Sequence, residues 1–250
     1  GPSGARSKVV GLADAPGGRF VASLFDADEI WVIDAGNPRE PKVTKFAGVG
    51  RQPYDGLVTP DGRWYIAGLF GEDGLALLDL WHPERGVKRI LDAYGKGDAK
   101  LPVYKMPHLR GWAIAGGHAY LPAIGRNEVL IVDMRDWREA GRIAVAGQPV
   151  FVIARPDGHQ VWVNFAFPDN GRVQVIDTDT RTVAATLEPG RAVLHLEFTP
   201  RGEAVWISAR DDNRVVVYDT ATLAPVATLA ADSPSGTGMA LAAWTAMRLV

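Results

Sequence analysis

The sequence predicts an all-β fold of the β-propeller class, and three observations predict it. A pattern of about 40–50 residues recurs five times along the chain. Each copy holds a glycine turn, a strand, a polar Asp/Asn-rich turn and a second strand that ends in aspartate. No segment carries a convincing helical period.

The five copies begin at "DAPGGRFVASLF", "VTPDGRWYIAGLF", "AIAGGHAYLPAI", "ARPDGHQVWVNF" and "FTPRGEAVWISA". Their turn glycines are Gly18, Gly62, Gly117, Gly158 and Gly202, spaced by 44, 55, 41 and 44 residues. The closing aspartates are Asp34, Asp79, Asp133, Asp177 and Asp219, spaced by 45, 54, 44 and 42. A proline before the turn ends a strand's hydrogen bonding, and Asp-Gly or Gly-Gly tolerates the positive φ of a hairpin. The strands are rich in Val, Ile, Trp and Tyr, as pleated half-buried segments are. One further strand follows each closing aspartate and a fourth precedes each turn, which makes four antiparallel strands per copy.

These boundaries divide residues 8–250 into blades at 8–50, 51–104, 105–147, 148–190 and 191–232, with an incomplete sixth at 233–250. Residues 1–7, "GPSGARS", read as a linker or a cloning remnant. The 55-residue step contains "GVKRILDAYGKGDAKLPVYKMPHLRGW", residues 86–112, an outer strand with about ten extra residues. It gathers Lys88, Arg89, Lys96, Lys100, Lys105, His108 and Arg110, and is either a functional insertion or a solvated loop.

Composition narrows the function. The net charge of −2 gives no electrostatic basis for binding nucleic acid or an anionic membrane. The chain has no cysteine, which removes disulfides, thiolate metal sites, a Cys nucleophile and the usual c-type haem linkage. No apolar run reaches the roughly 18 residues of a membrane span. The five histidines show no metal-ligand spacing, and no HExxH, P-loop or GxSxG is present.

The first strand of a propeller blade lines the axis, and the turn proline sets its register. Five places before the proline stand Gly11, Asp55, Phe151 and His195; three before stand Ala13, Leu57, Ile153 and Glu197; one before stand Ala15, Thr59, Arg155 and Thr199. Counting back from Gly117 puts Arg110 in the first row. Strict alternation in "AVLHLEF" sets Val193, His195 and Glu197 on one face, with Leu194, Leu196 and Phe198 on the other. Asp55, Arg110, Arg155, His195 and Glu197 either solvate a water-filled channel or bind a flat anionic ligand at its mouth. Arginine suits such a ligand because its planar fork donates two parallel hydrogen bonds to a carboxylate. The closing aspartates are expected to bond their own turns, and Trp31, Trp162 and Trp206 to fill space between blades.

Four stretches carry a resemblance: "GRQPYDGLVTPDGRWYIAGLFGEDGLALLDLWHPERG", "LPVYKMPHLRGWA", "GQPVFVIARPDGHQVWVNF" and "LHLEFTPRGEAVWIS". Over nearly all of residues 8–236 the chain resembles the NirF family of haem d1 biosynthesis proteins. That family is similar to the d1 domain of cytochrome cd1 nitrite reductase, an eight-bladed propeller that holds haem d1 over its axis. The resemblance implies three further blades on the N-terminal side of this sequence. The d1 domain places two distal histidines over the haem. His195 matches the second through "HLEFTPRGEAVW", and the first falls on Arg155 in "FVIARPDGHQVWV".

The resemblance thus implies binding of haem d1 or a dihydro-haem d1 type tetrapyrrole without nitrite reduction, which needs both histidines and a haem c donor. It implies a late step of haem d1 biosynthesis in denitrification, such as lactone opening to free propionates. His195 and Glu197 would supply acid/base groups, and Arg155, Arg110, Arg51 and Lys105 would neutralise carboxylates. Tyr54, Asp55 and His108 would complete the binding site. A periplasmic location follows by the same resemblance, with cytochrome cd1 nitrite reductase or other haem d1 assembly proteins as partners. Two alternatives stay open: a carrier that delivers the tetrapyrrole to the reductase, and a non-enzymatic interaction propeller. The tail "TGMALAAWTAMRLV" departs from the aromatic-rich strand with which the family continues.

Overall fold

The computed structural model describes residues 6–95, 111–123 and 125–236. These residues form five four-stranded antiparallel sheets, each a meander in chain order. The first holds β1 (Val9–Ala15), β2 (Arg19–Leu24), β3 (Glu29–Asp34) and β4 (Lys42–Ala47). The second holds β5 (Pro53–Val58), β6 (Trp64–Leu69), β7 (Leu75–Asp79) and β8 (Val87–Ile90). The third holds β9 (Ala113–Ala115), β10 (His118–Pro122), β11 (Glu128–Asp133) and β12 (Arg138–Ala144). The fourth holds β13 (Pro149–Ala154), β14 (Gln160–Phe165), β15 (Val173–Asp177) and β16 (Thr182–Leu187). The fifth holds β17 (Val193–Phe198), β18 (Ala204–Ala209), β19 (Arg214–Asp219) and β20 (Pro225–Ala230). The expected partial sixth blade falls mostly on residues 237–250, outside the described residues, as does the bulk of the expected insertion, residues 96–110.

The chain divides into two compact units, residues 1–110 and 111–250. In the first unit, Val21, Ile30 and Val32 of the first sheet bury against Tyr65, Ala67, Leu69, Ala76 and Leu78 of the second. In the second unit, Tyr120, Val129 and Ile131 of the third sheet meet Val152, Val161 and Val163 of the fourth. The fourth then packs on the fifth through Trp162, Val173, Val175, Val193, Leu196, Phe198 and Ile207. Each of the larger aliphatic and aromatic side chains among them contributes about 1.5–3 kcal/mol when removed from water. Middle strands are therefore apolar on both faces, as in β7, where all five residues are buried. The outermost strand β20 is exposed at every residue. Trp162 fills the space between sheets, edge-on to Phe198 at 5.9 Å. Trp31 does not: it lies under the Lys45 ammonium of its own sheet, 4.1 Å from the ring centre.

The meander gives every sheet two chemically distinct ends. Hairpins joining first to second and third to fourth strands lie at one end, and the second-to-third loops lie at the other. At the hairpin end each closing aspartate bonds its own turn. Their Oδ1 atoms accept from the N–H groups of Gly36 (2.9 Å), Trp81 (3.0 Å), Arg135 (2.9 Å), Thr180 (2.7 Å) and Thr222 (2.7 Å). Asp79 is the most enclosed of them, 5% exposed, and also accepts from the Arg63 guanidinium at 2.9 and 3.2 Å. Burial alone would raise its carboxyl, but the Arg63 and Trp81 bonds outweigh burial and hold it below the ordinary aspartate range.

Two outcomes follow from these caps. Asp79→Ala leaves Arg63 and the Trp81 N–H without their acceptor, and urea unfolding should show a loss of about 1–3 kcal/mol. Asp79, Asp177 and Asp219 all have lowered carboxyls, so the stability they supply is complete above the unfolded value of about 3.9 and is lost as pH falls through the folded values. Melting temperature measured against pH should therefore fall on the acid side of about pH 4, and the fall should be shallower in Asp79→Asn.

Candidate functional site

Among the described residues, the first strands of four of the five sheets carry an extra residue. In β17, Val193 pairs with Ala209 and Leu196 with Ile207, so Leu194 and His195 together face the single residue Ser208. The same bulge sets Val150 and Phe151 against Asn164 in the fourth sheet, Tyr54 and Asp55 against Gly68 in the second, and Gly11 and Leu12 against Ala22 in the first. Bulges turn a strand and re-aim the side chains around them. All lie toward the loop end of their sheets, near the start of the first strand.

The bulge corrects the face assignment expected from alternation. Val193 is buried with Leu196 and Phe198 in the core between the fourth and fifth sheets, because the inserted residue shifts the phase between 193 and 196. His195 and Glu197 are half-buried and share the opposite face. They stand two residues apart, about 7 Å along the strand. The His195 ring meets Phe151 of the fourth sheet edge-on, with ring centres 6.1 Å apart and planes at 70°. Phe151 occupies the place in β13 that His195 occupies in β17. Burial raises the Glu197 carboxyl above its ordinary value.

Two buried polar side chains support this arrangement. Ser208 Oγ, on β18, accepts from the His195 N–H at 3.0 Å and donates to the His195 carbonyl at 3.3 Å. Asn164 Oδ1, on β14, accepts from the Phe151 N–H at 2.9 Å, and its Nδ2 donates to the Val193 carbonyl of the fifth sheet at 3.2 Å. Ser208 is 0% and Asn164 1% exposed.

Arg155 is not brought to His195. It follows β13 at the hairpin end, four residues beyond Phe151 and so roughly 13 Å further along that strand direction. Its Nε donates to both Asp157 oxygens at 2.8 and 2.9 Å, and its Nη2 to Asp157 Oδ2. This bidentate hold brings the Asp157 carboxyl down to about 2. The stem of Arg155 lies on Gly202, where a Cβ would come within 2.8 Å of Arg155 Cγ. The Arg155 guanidinium is thus engaged by its own turn, and among the described residues the ring that meets His195 is that of Phe151.

In the first unit, Tyr54 is half-buried and joins Phe25 and Phe70 in an aromatic trio with ring centres 5.7–6.1 Å apart. Lys8 Nζ sits 4.8 Å above the Phe25 ring. Asp55 is half-buried and caps the next N–H, that of Gly56, at 2.9 Å. Gly56 is required here, since a Cβ would come within 2.2 Å of Tyr65 Oη. That hydroxyl donates to the Gly11 carbonyl at 2.7 Å and is hydrogen-bonded to Ser23 Oγ at 2.8 Å. Arg51 is exposed, 3.5 Å from Glu72, which also holds Arg89 at 2.6 Å. Lys105, His108 and Arg110 lie outside the described residues.

Four relevant side chains escaped the sequence reading: Phe25, Phe70, Asn164 and Ser208. The first two had a signal, the repeated Leu-Phe that ends "ASLF" and "AGLF". A cleft of about 330 Å³ also opens at the loop end of the second unit, lined by Pro168, Asp169, Gly171, Arg172, Glu188, Gly190 and Arg191. Its arginines are occupied, Arg172 with Asp169 at 3.2 Å and Arg191 with Asp212 at 2.7 Å. His195, Phe151 and Glu197 do not line it. Among the described residues no group of three or more His, Asp or Glu is placed to hold a metal ion.

The raised Glu197 carboxyl makes a signed prediction. The folded chain keeps that proton at a pH where the unfolded chain has lost it, so stability declines as pH rises from about 4.3 through the folded value. Glu197→Gln should melt above the parent at neutral pH, and the difference should vanish near about pH 4.

The family model described as the cytochrome D1 heme domain matches residues 2–241. Protein NirF of Stutzerimonas stutzeri and Protein NirF of Pseudomonas aeruginosa are each 59% identical over 230 residues. Those matches cover 92% of this chain and 59% of each relative, so the chain spans less than two thirds of their length. Among solved structures, the dihydro-haem d1 dehydrogenase NirN in complex with DHE superposes with a TM-score of 0.75 at 26% identity. That match covers 94% of this chain and 50% of NirN.

Proposed function

We propose, from the premise that this chain belongs to the cytochrome D1 heme domain family, that it binds a dihydro-haem d1 type tetrapyrrole and acts at a late step of haem d1 biosynthesis. One observation carries the reading on the structural side. The bulged strand β17 presents an imidazole and a desolvated carboxyl on one face, with an aromatic ring against the imidazole. A flat conjugated ligand suits that surface, because Phe151 offers an apolar edge and His195 a polar one.

In this reading His195 and Glu197 are the acid/base groups. The finer step we propose is hydrolytic opening of a peripheral lactone to a free carboxylate. Water adds to the lactone carbonyl, the ring C–O bond breaks, and a proton passes from the water to the departing oxygen. His195 accepts the water's proton, and Glu197, kept protonated by burial to higher pH than an exposed glutamate, donates to the leaving oxygen. Among the described residues the ring against His195 is that of Phe151 rather than a second imidazole. By the family relation we place the work in the periplasm, with the haem d1 enzymes as partners.

Titration of the chain with dihydro-haem d1 should shift the pigment's visible spectrum, and His195→Ala should weaken binding about tenfold. Glu197→Gln should bind like the parent but leave the pigment's mass unchanged after incubation with a lactone precursor. No spectral change with the parent chain would refute tetrapyrrole binding. Binding with release to apo-nitrite reductase and no change in mass would make it a carrier.

A further inference from the structure

We infer that Ser208 and Asn164 are positioning residues that place the His195 imidazole against Phe151, an inference that rests on the proposed role of His195. The bulge at Leu194–His195 takes His195 out of the regular ladder. Its N–H and C=O must then be satisfied from elsewhere, since a buried unpaired backbone group is costly. Ser208 Oγ serves both at once, accepting at 3.0 Å and donating at 3.3 Å. The hydroxyl thereby sets the φ and ψ of the residue whose side chain faces the ligand.

Asn164 acts one sheet away, at the matching position of β14. It accepts from the Phe151 N–H and donates to the carbonyl of Val193, two residues before His195. One amide therefore ties the Phe151 bulge to the strand that carries His195. Together the two side chains fix both backbones that flank the edge-on contact of Phe151 and His195. The bulge can form without a polar side chain at this position of the second strand. Ala22 stands at the matching position in the first sheet and Gly68 in the second, and both sheets carry the bulge. Polar residues appear at this position where the bulge presents Phe151 and His195, which is why a role beyond folding is assigned to them.

The test uses the full chain with dihydro-haem d1 as the probe, and proton NMR of the imidazole signals. The His195 signals are identified by their disappearance in His195→Ala. Ser208→Ala should fold, as Ala22 shows, and Ser208→Gly, matched by Gly68, is the second variant if alanine disturbs the sheet. Asn164→Asp keeps the acceptor for Phe151 and removes the donor to Val193.

In Ser208→Ala and Asn164→Asp the His195 signals should move while those of the other four histidines stay in place, and affinity for the probe should fall roughly three- to tenfold. A merely structural role would shift all five sets together and overturn the inference. Unmoved His195 signals with parental affinity in both variants would also overturn it, while weak binding by His195→Ala would leave the proposed function standing. Parental binding by His195→Ala would instead refute the role given to His195; the imidazole signals alone would then decide whether the two side chains position it.

Discussion

A backbone N–H or C=O shut away from water must find a partner, and a bulge in a half-buried strand frees several at once. That constraint organises the loop end of every blade with a bulged first strand. The first unit meets it with a phenol: Tyr65 reaches from β6 to the Gly11 carbonyl, and Gly56 has no side chain so that the hydroxyl can pass. The second unit meets it with a serine and an asparagine. The buried polar side chains and the surface that carries His195 and Phe151 are thus consequences of one backbone problem.

The hairpin end obeys a different rule. Its charges are compensated locally: Arg155 by Asp157, Arg63 by Asp79, Arg135 by Asp133. The exposed pairs among them add little stability each, unlike the enclosed Asp79, but all shape turns and consume the planar forks that would otherwise be free to grip a carboxylate. Glu197 is the contrast. Desolvation raises its carboxyl, and among the described residues no cation compensates it. A group held at that energetic disadvantage is what proton transfer requires and what a stabilising ion pair would abolish.

The four-stranded repeat and its strand order were legible because they rest on local chemistry: prolines, turn glycines and aspartates that bond two or three residues ahead. The family relation was legible too, in long stretches such as "HLEFTPRGEAVW". Strict alternation failed at Val193 because an inserted residue changes the phase without changing the composition. The local pairing of Arg155 was illegible for a related reason. Its sequence neighbour Asp157 is also its partner in space, and a two-residue pairing inside a turn looks the same in sequence as an arginine awaiting a ligand. Asn164 and Ser208 were illegible as supports, since nothing in "VNFAF" or "WISAR" announces that a side chain meets a bulge.

Repeated blades arise naturally by duplication, and a repeat whose bonds all close within one copy can be lost, gained or exchanged without harm to its neighbours. The closing aspartates are of that self-contained kind. The amide of Asn164 is not, because its acceptor, the Val193 carbonyl, belongs to the following copy. Unequal crossing-over at this junction would separate donor from acceptor and strand a buried amide. The fourth and fifth copies are therefore coupled in inheritance, and the symmetry of the repeat is broken wherever such a hydrogen bond crosses from one copy to the next.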